Sequence, residues 1–259
     1  MAEAMPTPAD WRDYRPAADA LAGRVILVTG ATAGIGRAVA RALAAHGATV
    51  LLHGRSAKKL DELYQELARV GAEPAVAELD FERAQGPQYQ SLTDEIEKRY
   101  GRLDGLLHNA GILGDRSPIE HYDFGVWQRV LHVNLTAPFV LTRCLLPLLR
   151  KSEDASVLFT TSGVGNRGRA FWGAYAVAKF GTEGLAQVLA AELENTAIRV
   201  NTINPGATRT RMRAQAYPAE NPETLRTPDD LVPAYLYLLG PAGRGVRGQR
   251  IDVQQQRQR

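Results

Sequence analysis

Apolar residues fall into two alternating rhythms along this chain. Short, nearly continuous and often β-branched runs occur at Val25–Thr29, Thr49–Leu52, Ala75–Leu79, Gly105–His108, Ser156–Thr161, Arg199–Ile203 and Arg250–Val253, and they predict seven strands. Between them apolar residues recur at helical spacing, as in Ile35, Val39 and Leu43, or Leu60, Leu63, Leu67 and Val70. Strands that are apolar on both faces need helices on both sides, and alternating strand and helix predicts parallel strands joined by right-handed crossovers. The expected fold is therefore α/β, a doubly wound seven-stranded parallel sheet with helices on both faces. A single domain is expected over 23–253, between an N-terminal arm (1–22) rich in Ala, Pro and charge and a flexible C-terminal tail (254–259). Pro205–Thr227 reads as an irregular connection before a helix near Pro228, a length at which a connection is usually functional or mobile.

Composition changes this picture little. The 259 residues are 45% hydrophobic and 23% charged, as in ordinary globular proteins. The one cysteine, Cys144, excludes an intrachain disulfide and any cysteine-based metal cage, so no metal site is expected and a reducing cytoplasm is the natural compartment. The net charge of +3 and pI near 9.1 come from the end of the chain. Arg244, Arg247, Arg250, Arg257 and Arg259 stand there against Asp252, a local +4 that leaves the other 243 residues at −1. Nucleic acid and anionic membranes are not expected partners of so nearly neutral a body. No apolar run near the start could serve as a signal-peptide core, and the richest apolar stretch, Val130–Leu149, is broken by His132, Asn134, Pro138, Arg143 and Pro147.

Directly after the first strand comes Thr29-Gly30-Ala31-Thr32-Ala33-Gly34-Ile35-Gly36, which opens into a helix. Glycines here let the chain turn sharply and approach a pyrophosphate, while free N–H groups at the helix start attract anionic oxygens. A tight turn needs glycine in any case, so the segment taken alone leaves both readings open. No Lys-Ser/Thr follows, which sets it apart from nucleotide-triphosphate loops. The second strand ends at His53-Gly54-Arg55-Ser56, where an acidic residue would bind a free ribose 2′-hydroxyl. Arg55 offers a charge-assisted fork to a 2′-phosphate instead and favours NADP(H) over NAD(H), the alternative being a surface arginine that opens a helix.

Tyr175 and Lys179 stand four residues apart within a helical pattern, on one face. An ammonium near a phenol favours the phenolate, so Lys179 is expected to lower the Tyr175 pKa and make it a usable proton exchanger. The same spacing also describes a solvated helix face.

Gly30-x3-Gly34-x-Gly36, Asn109-Ala110-Gly111, Asn134, Ser162, Tyr175-x3-Lys179 and Pro205-Gly206 occur in the order and spacing of the short-chain dehydrogenase/reductase family, which the chain resembles over about residues 22–253. Within it the chain looks most like the bacterial YciK-like oxidoreductases, through Arg102-Leu103-Asp104-Gly105, His108-Asn109-Ala110-Gly111 and Arg169-Ala170-Phe171-Trp172-Gly173-Ala174-Tyr175. The resemblance implies a Rossmann-type fold and hydride transfer between a nicotinamide and a carbonyl or alcohol. It implies Tyr175 as general acid/base, Ser162 as hydrogen-bond partner of the substrate oxygen, Lys179 on the nicotinamide ribose, and Asn134 shaping its helix and supporting a water that leads protons towards Lys179. Cofactor contacts implied are Gly30, Thr32, Gly34, Ile35, Gly36, Arg55, Asp80 facing the adenine, Asn109, Ala110, Gly111, Tyr175, Lys179, Pro205, Gly206, Thr208 and Thr210. Turn-forming or capping roles are the alternatives for Asp80, Asn109, Asn134, Ser162, Thr208 and Thr210.

Two departures from the family pattern stand out. His108 replaces the usual Asn and is expected to be a packed structural residue, and Ile251-Asp252-Val253-Gln254-Gln255 replaces the common Asp-Gly-Gly. Arg167, Arg169, Phe171 and Trp172, with Arg209, Arg211 and Arg213, suggest a carboxylate or phosphopantetheine-type substrate, a 3-oxoacyl compound or similar ketone. Helices over Asp123–Arg150 and Trp172–Glu194 carry Val130, Leu141, Leu145, Leu148, Leu185 and Leu189, more apolar residues than a sheet-covering face requires, so a homodimer or homotetramer is expected. A non-catalytic dinucleotide sensor and a structural scaffold are the rival functions; the matched acid/base set favours the enzyme.

Overall fold

In the computed structural model of the chain, which describes Trp11 and residues 14–254, seven strands form: β1 (Val25–Val28), β2 (Thr49–Gly54), β3 (Ala75–Glu78), β4 (Gly105–His108), β5 (Ala155–Thr160), β6 (Ile198–Asn204) and β7 (Arg250–Asp252). They agree with the apolar runs to within two residues at each end. All pair in parallel, in the order β3-β2-β1-β4-β5-β6-β7. The order reverses between β1 and β4, and in open parallel sheets ligands bind beyond the carboxyl ends of the strands at such a point.

Successive strand residues face opposite sides, which divides the core into two layers. Ile26 and Val28 of β1 pack with α1 (Gly34–Ala45), α2 (Ala57–Ala68) and α8 (Val232–Leu239), whereas Val25 and Leu27 pack with α3 (Gly86–Tyr100), α5 (Ala137–Leu149) and α6 (Gly173–Glu192). Trp11 and Leu21 of the expected N-terminal arm are buried in the first layer. Residues 1–10, 12 and 13 of that arm, and 255–259 of the expected tail, lie outside the described residues.

The helix expected over Asp123–Arg150 is divided. Phe124–Leu131 (α4) runs into a π-helical turn at His132–Thr136 and then into α5. The whole run, Phe124–Leu149, is long and apolar enough to cross a membrane by length and composition. Its apolar side nevertheless packs inward: Val130, Leu141, Leu145 and Leu148 are all buried, as is Leu189 of α6, and Leu185 lies half-buried against the same core. These residues were expected to form an oligomer face, and the structure corrects this, because covering the central strands uses them up. The apolar side chains that α5 and α6 leave outside are Phe139, Val177, Phe180 and Val188. Cys144 on α5 is half-buried with a free thiol.

The Pro205–Thr227 connection is more ordered than its composition suggests. It contains α7 (Arg211–Ala216) and a 3-10 turn at Pro222–Thr224, and its ends meet in a bridge between Thr208 and Arg226.

Candidate active site

The loop between β1 and α1 is shaped by backbone that has no room for side chains. Gly30 takes a φ of +67°, and a Cβ there would lie 2.9 Å from the Ala110 Cα. A Cβ on Gly36 would collide with the Gly30 carbonyl. Asn109 holds the loop from β4, its amide donating to the carbonyls of Thr29 (3.2 Å) and Gly30 (3.4 Å). The Thr29 hydroxyl accepts from the N–H groups of Asn109 (2.9 Å) and Ala110 (3.0 Å). Gly34 and Ile35 open α1, whose N-cap Ala33 supplies no side-chain acceptor and whose first turn carries no acid. The first-turn N–H groups are left for an external anion, and this open, uncapped cradle fits a dinucleotide pyrophosphate. Thr32 lies against Gly54, and Gly111 against Asn134.

Across the switch point, Ser162 follows β5 while Tyr175 and Lys179 lie on the first turns of α6. Tyr175 is buried and its hydroxyl is hydrogen-bonded to Ser162. Lys179 is buried too, with Nζ donating to the Thr160 carbonyl at 2.7 Å and lying 5.7 Å from the Tyr175 ring centre. Asn134 sits in the π-helical turn. Its side-chain amide exchanges two 2.8 Å hydrogen bonds with the backbone of Ile112, and its backbone carbonyl accepts from the Thr182 hydroxyl of α6 at 3.3 Å. Asn134 thereby ties the loop after β4 to the helix of Tyr175 and Lys179, and the extra residue of the π turn aims it there.

One electrostatic expectation is overturned. Burial pushes the Tyr175 phenol up to about 12, with only the Ser162 hydrogen bond opposing it. Burial also lowers Lys179 to about 8, against the pull of Glu183. Desolvation of each group outweighs the attraction between them, because the ammonium is directed at the Thr160 carbonyl.

The remaining expected contacts form two groups. Pro205 and Gly206 follow β6, the Gly206 N–H donating to Asn204 Oδ1 at 3.1 Å. Thr208 is buried, and Thr210 caps α7 through its hydroxyl with its methyl group beside Gly34, so the loop after β6 meets the loop after β1. Just beyond the end of β2, Arg55 is exposed and paired with Glu82 at 2.7 Å. Asp80 accepts the Glu82 N–H at 3.0 Å, closing the turn after β3.

The side chains packed around Tyr175 are apolar: Leu113, Val164, Trp172 and Ala216 are buried, and Met212 and Tyr217 pack on them. Arg116, which sequence reasoning passed over, stacks on Trp172 (4.8 Å) and Tyr217 (5.0 Å) and donates to the Ala216 carbonyl. Of the arginines expected to receive a carboxylate, Arg213 is committed to Glu220 through two 2.6 Å hydrogen bonds and Arg209 is paired with Glu223 at 3.3 Å. Arg167, Arg169 and Arg211 are exposed.

Three more residues were missed. His53 accepts the Gly30 N–H on Nδ1 at 3.4 Å, and burial lowers its pKa to about 4, so it stays neutral. Gln254, just after β7, donates to the carbonyls of Pro205 (2.8 Å) and Ala207 (2.9 Å), bracing that loop. Glu183 lies one turn beyond Lys179, a spacing that could have drawn attention to it. His108 is packed as expected, stacked on Phe159 and paired with Thr142, and burial drives it down to about 3.

Comparison with known proteins agrees with this geometry. A family model described as short chain dehydrogenase matches residues 24–221. The uncharacterized oxidoreductase YciK of Escherichia coli K12 is 49% identical over 242 residues, 93% of this chain and 96% of YciK. A solved structure from Pseudomonas syringae is 55% identical with a TM-score of 0.91, covering 93% of this chain and 99% of that one. Another, from Escherichia coli CFT073 and complexed with NADPH, is 49% identical with a TM-score of 0.90, covering 92% of this chain and all (100%) of that one. With the glycine cradle, the Ser162–Tyr175–Lys179 cluster and these matches in agreement, the chain belongs to the short chain dehydrogenase family of oxidoreductases.

Proposed function

We propose that the protein is an NADP(H)-dependent oxidoreductase that interconverts a ketone and an alcohol, with Tyr175 as the proton donor in reduction. The observation that carries this reading is the cluster of Ser162 with the buried Tyr175 and Lys179, together with an uncapped glycine cradle. When bound, the dinucleotide supplies or accepts the hydride. The chain handles the proton. Ser162 and Tyr175 offer two hydroxyl groups to one substrate oxygen, and a phenol held near 12 is fully protonated at neutral pH, ready to donate. The nearby Lys179 ammonium stabilises the phenolate left behind. Gly30, Gly34 and Gly36 would hold the pyrophosphate, and Arg55 would exchange Glu82 for a 2′-phosphate.

For the substrate, the apolar surroundings of Tyr175 and the commitment of Arg209 and Arg213 favour a hydrophobic acyl ketone over a small carboxylate. The exposed Arg167, Arg169 and Arg211 are available to an anionic carrier at the rim. NADPH oxidation should therefore be at least about tenfold more efficient (kcat/KM) with 3-oxoacyl thioesters than with small neutral ketones or quinones, since about 1.4 kcal/mol of acyl-chain contact suffices for that ratio. A preference for small neutral ketones would remove this assignment. In the same assay Arg55→Ala should weaken NADPH about tenfold or more and leave NADH unchanged.

We also propose that the exposed Phe139 of α5 and Val177, Phe180 and Val188 of α6 join copies of the chain. Light scattering should give a multiple of the 28.2 kDa chain mass, and Phe180→Glu should shift it towards one chain. A wild-type monomer at micromolar concentration would refute it.

A further inference from the structure

Glu183 continues the face of α6 that carries Tyr175 and Lys179, four residues beyond the lysine. It is a buried carboxylate, set between α6 and the last two strands. Oε2 accepts the Thr202 hydroxyl of β6 at 2.8 Å, and Oε1 is paired with the guanidinium of Arg250, the first residue of β7. Arg250 reaches three ways: to Glu183, to Asp252 at 3.1 Å, and to the backbone carbonyl of Ser162 at 3.5 Å. Asp252 in turn accepts from the Asn204 amide at 2.5 Å, and Asn204 accepts the Gly206 N–H at 3.1 Å. One continuous polar chain thus runs from the lysine's helix to Ser162 and to the loop after β6.

We propose that Glu183, held by Arg250, is a positioning residue that sets the charge state of Lys179 and couples it to the placement of Ser162 and Gly206. The inference rests on the proposed function for its catalytic meaning. The neighbours of Lys179 leave few other sources of charge. From its own helix it sees Tyr175, a neutral phenol, and Glu183; from β5, the Thr160 carbonyl; from β4, His108, which burial keeps neutral. Asn134 in the π-helical turn and Gly165 after Ser162 bring dipoles only, and Thr202 of β6 is neutral. Arg250 from β7 acts in the opposite sense, offsetting the charge of Glu183, while Asp252 partly offsets Arg250. Lys179 near 8 reflects burial opposed by Glu183. The device is a carboxylate whose strength is tuned by a second cation.

The test titrates the lysine directly. In cofactor-free protein carrying 13C-labelled lysine, the side-chain signals are followed by NMR from acid to alkaline pH, and Lys179 is assigned by its disappearance in Lys179→Arg. Glu183→Gln should lower the Lys179 midpoint by about one unit, and Arg250→Gln, which frees the carboxylate from its cation, should raise it. Glu183→Asp keeps the charge and should restore most of the wild-type value. Opposite shifts in two variants of one ion pair are not what loosened packing produces. Midpoints that stay put, or move the same way in both variants, overturn the proposal. Should Glu183→Gln not fold, Arg250→Gln and Glu183→Asp carry the same decision. No turnover is needed for this readout, so moving midpoints in a protein that reduces no carbonyl would sink the proposed function and leave this inference standing.

Discussion

Tyr175→Phe should lower kcat for carbonyl reduction about a thousandfold while NADPH affinity changes less than about threefold, since a positioned general acid contributes roughly 10²–10⁴. The substitution removes one oxygen from a ring that stays packed beside Trp172, 5.7 Å away between centres, so the fold and the glycine cradle are undisturbed. Stopped-flow turnover and fluorescence titration of NADPH separate the two effects. Residual activity near wild type would place the acid elsewhere, and full NADPH binding in a wild type without turnover on a broad carbonyl panel would revive the sensor. The pH profile carries a further sign. With Tyr175 near 12 and Lys179 near 8, the phenol is protonated throughout the working range and the ammonium is present only below about 8. Reduction should therefore be sustained at neutral pH and decline as pH rises through about 8, when the charge that stabilises the phenolate is lost.

That profile differs from the one the sequence suggests, and the difference shows what a sequence can carry. Spacing placed Tyr175 and Lys179 on one helical face, and the glycines and apolar runs located the cradle and the strands. Each of these is a local property of short segments. The sign of the Tyr175 shift depends on how deeply both groups are buried and on Lys179 turning to the Thr160 carbonyl, neither of which is written in neighbouring residues. The π turn at His132–Thr136 was invisible for a related reason: one extra residue in a helix alters no composition and is fixed by the contacts of Asn134 with Ile112 and Thr182. Oligomer residues were misassigned because Leu141 and Leu145 have the same pattern whether they cover a sheet or a partner. Arg250 and Gln254 bear on the site only through parallel pairing of β6 with β7, across about fifty residues of chain.

Asp154→Ala should cost about 3–5 kcal/mol of stability, the largest loss expected from one substitution outside the site, because it strips the partner from a buried cation. Asp154, just before β5, is buried and receives three arginines: Arg24 at 3.0 Å, Arg199 in a close pair, and Arg244 at 3.3 Å. Arg199 carries the effect. Its side chain is 1% exposed, against 67% for Arg244, whose ion pair is largely screened by water. Burial already lowers Arg199 to about 10 even with Asp154 present. Without the carboxylate it keeps only the Leu238 and Gly240 carbonyls, which neutralise nothing. Urea unfolding followed by circular dichroism should show the drop in midpoint, and Asp154→Ala combined with Arg199→Leu should recover part of it, since removing both charges leaves none unpaired. No recovery in the double variant would mean that Asp154 acts mainly through its backbone-ordering contacts with Arg24. The β5 strand, some 20 Å at about 3.3 Å per residue, separates this pair from Ser162, so NADPH affinity of the folded fraction should stay at the wild-type value while stability falls.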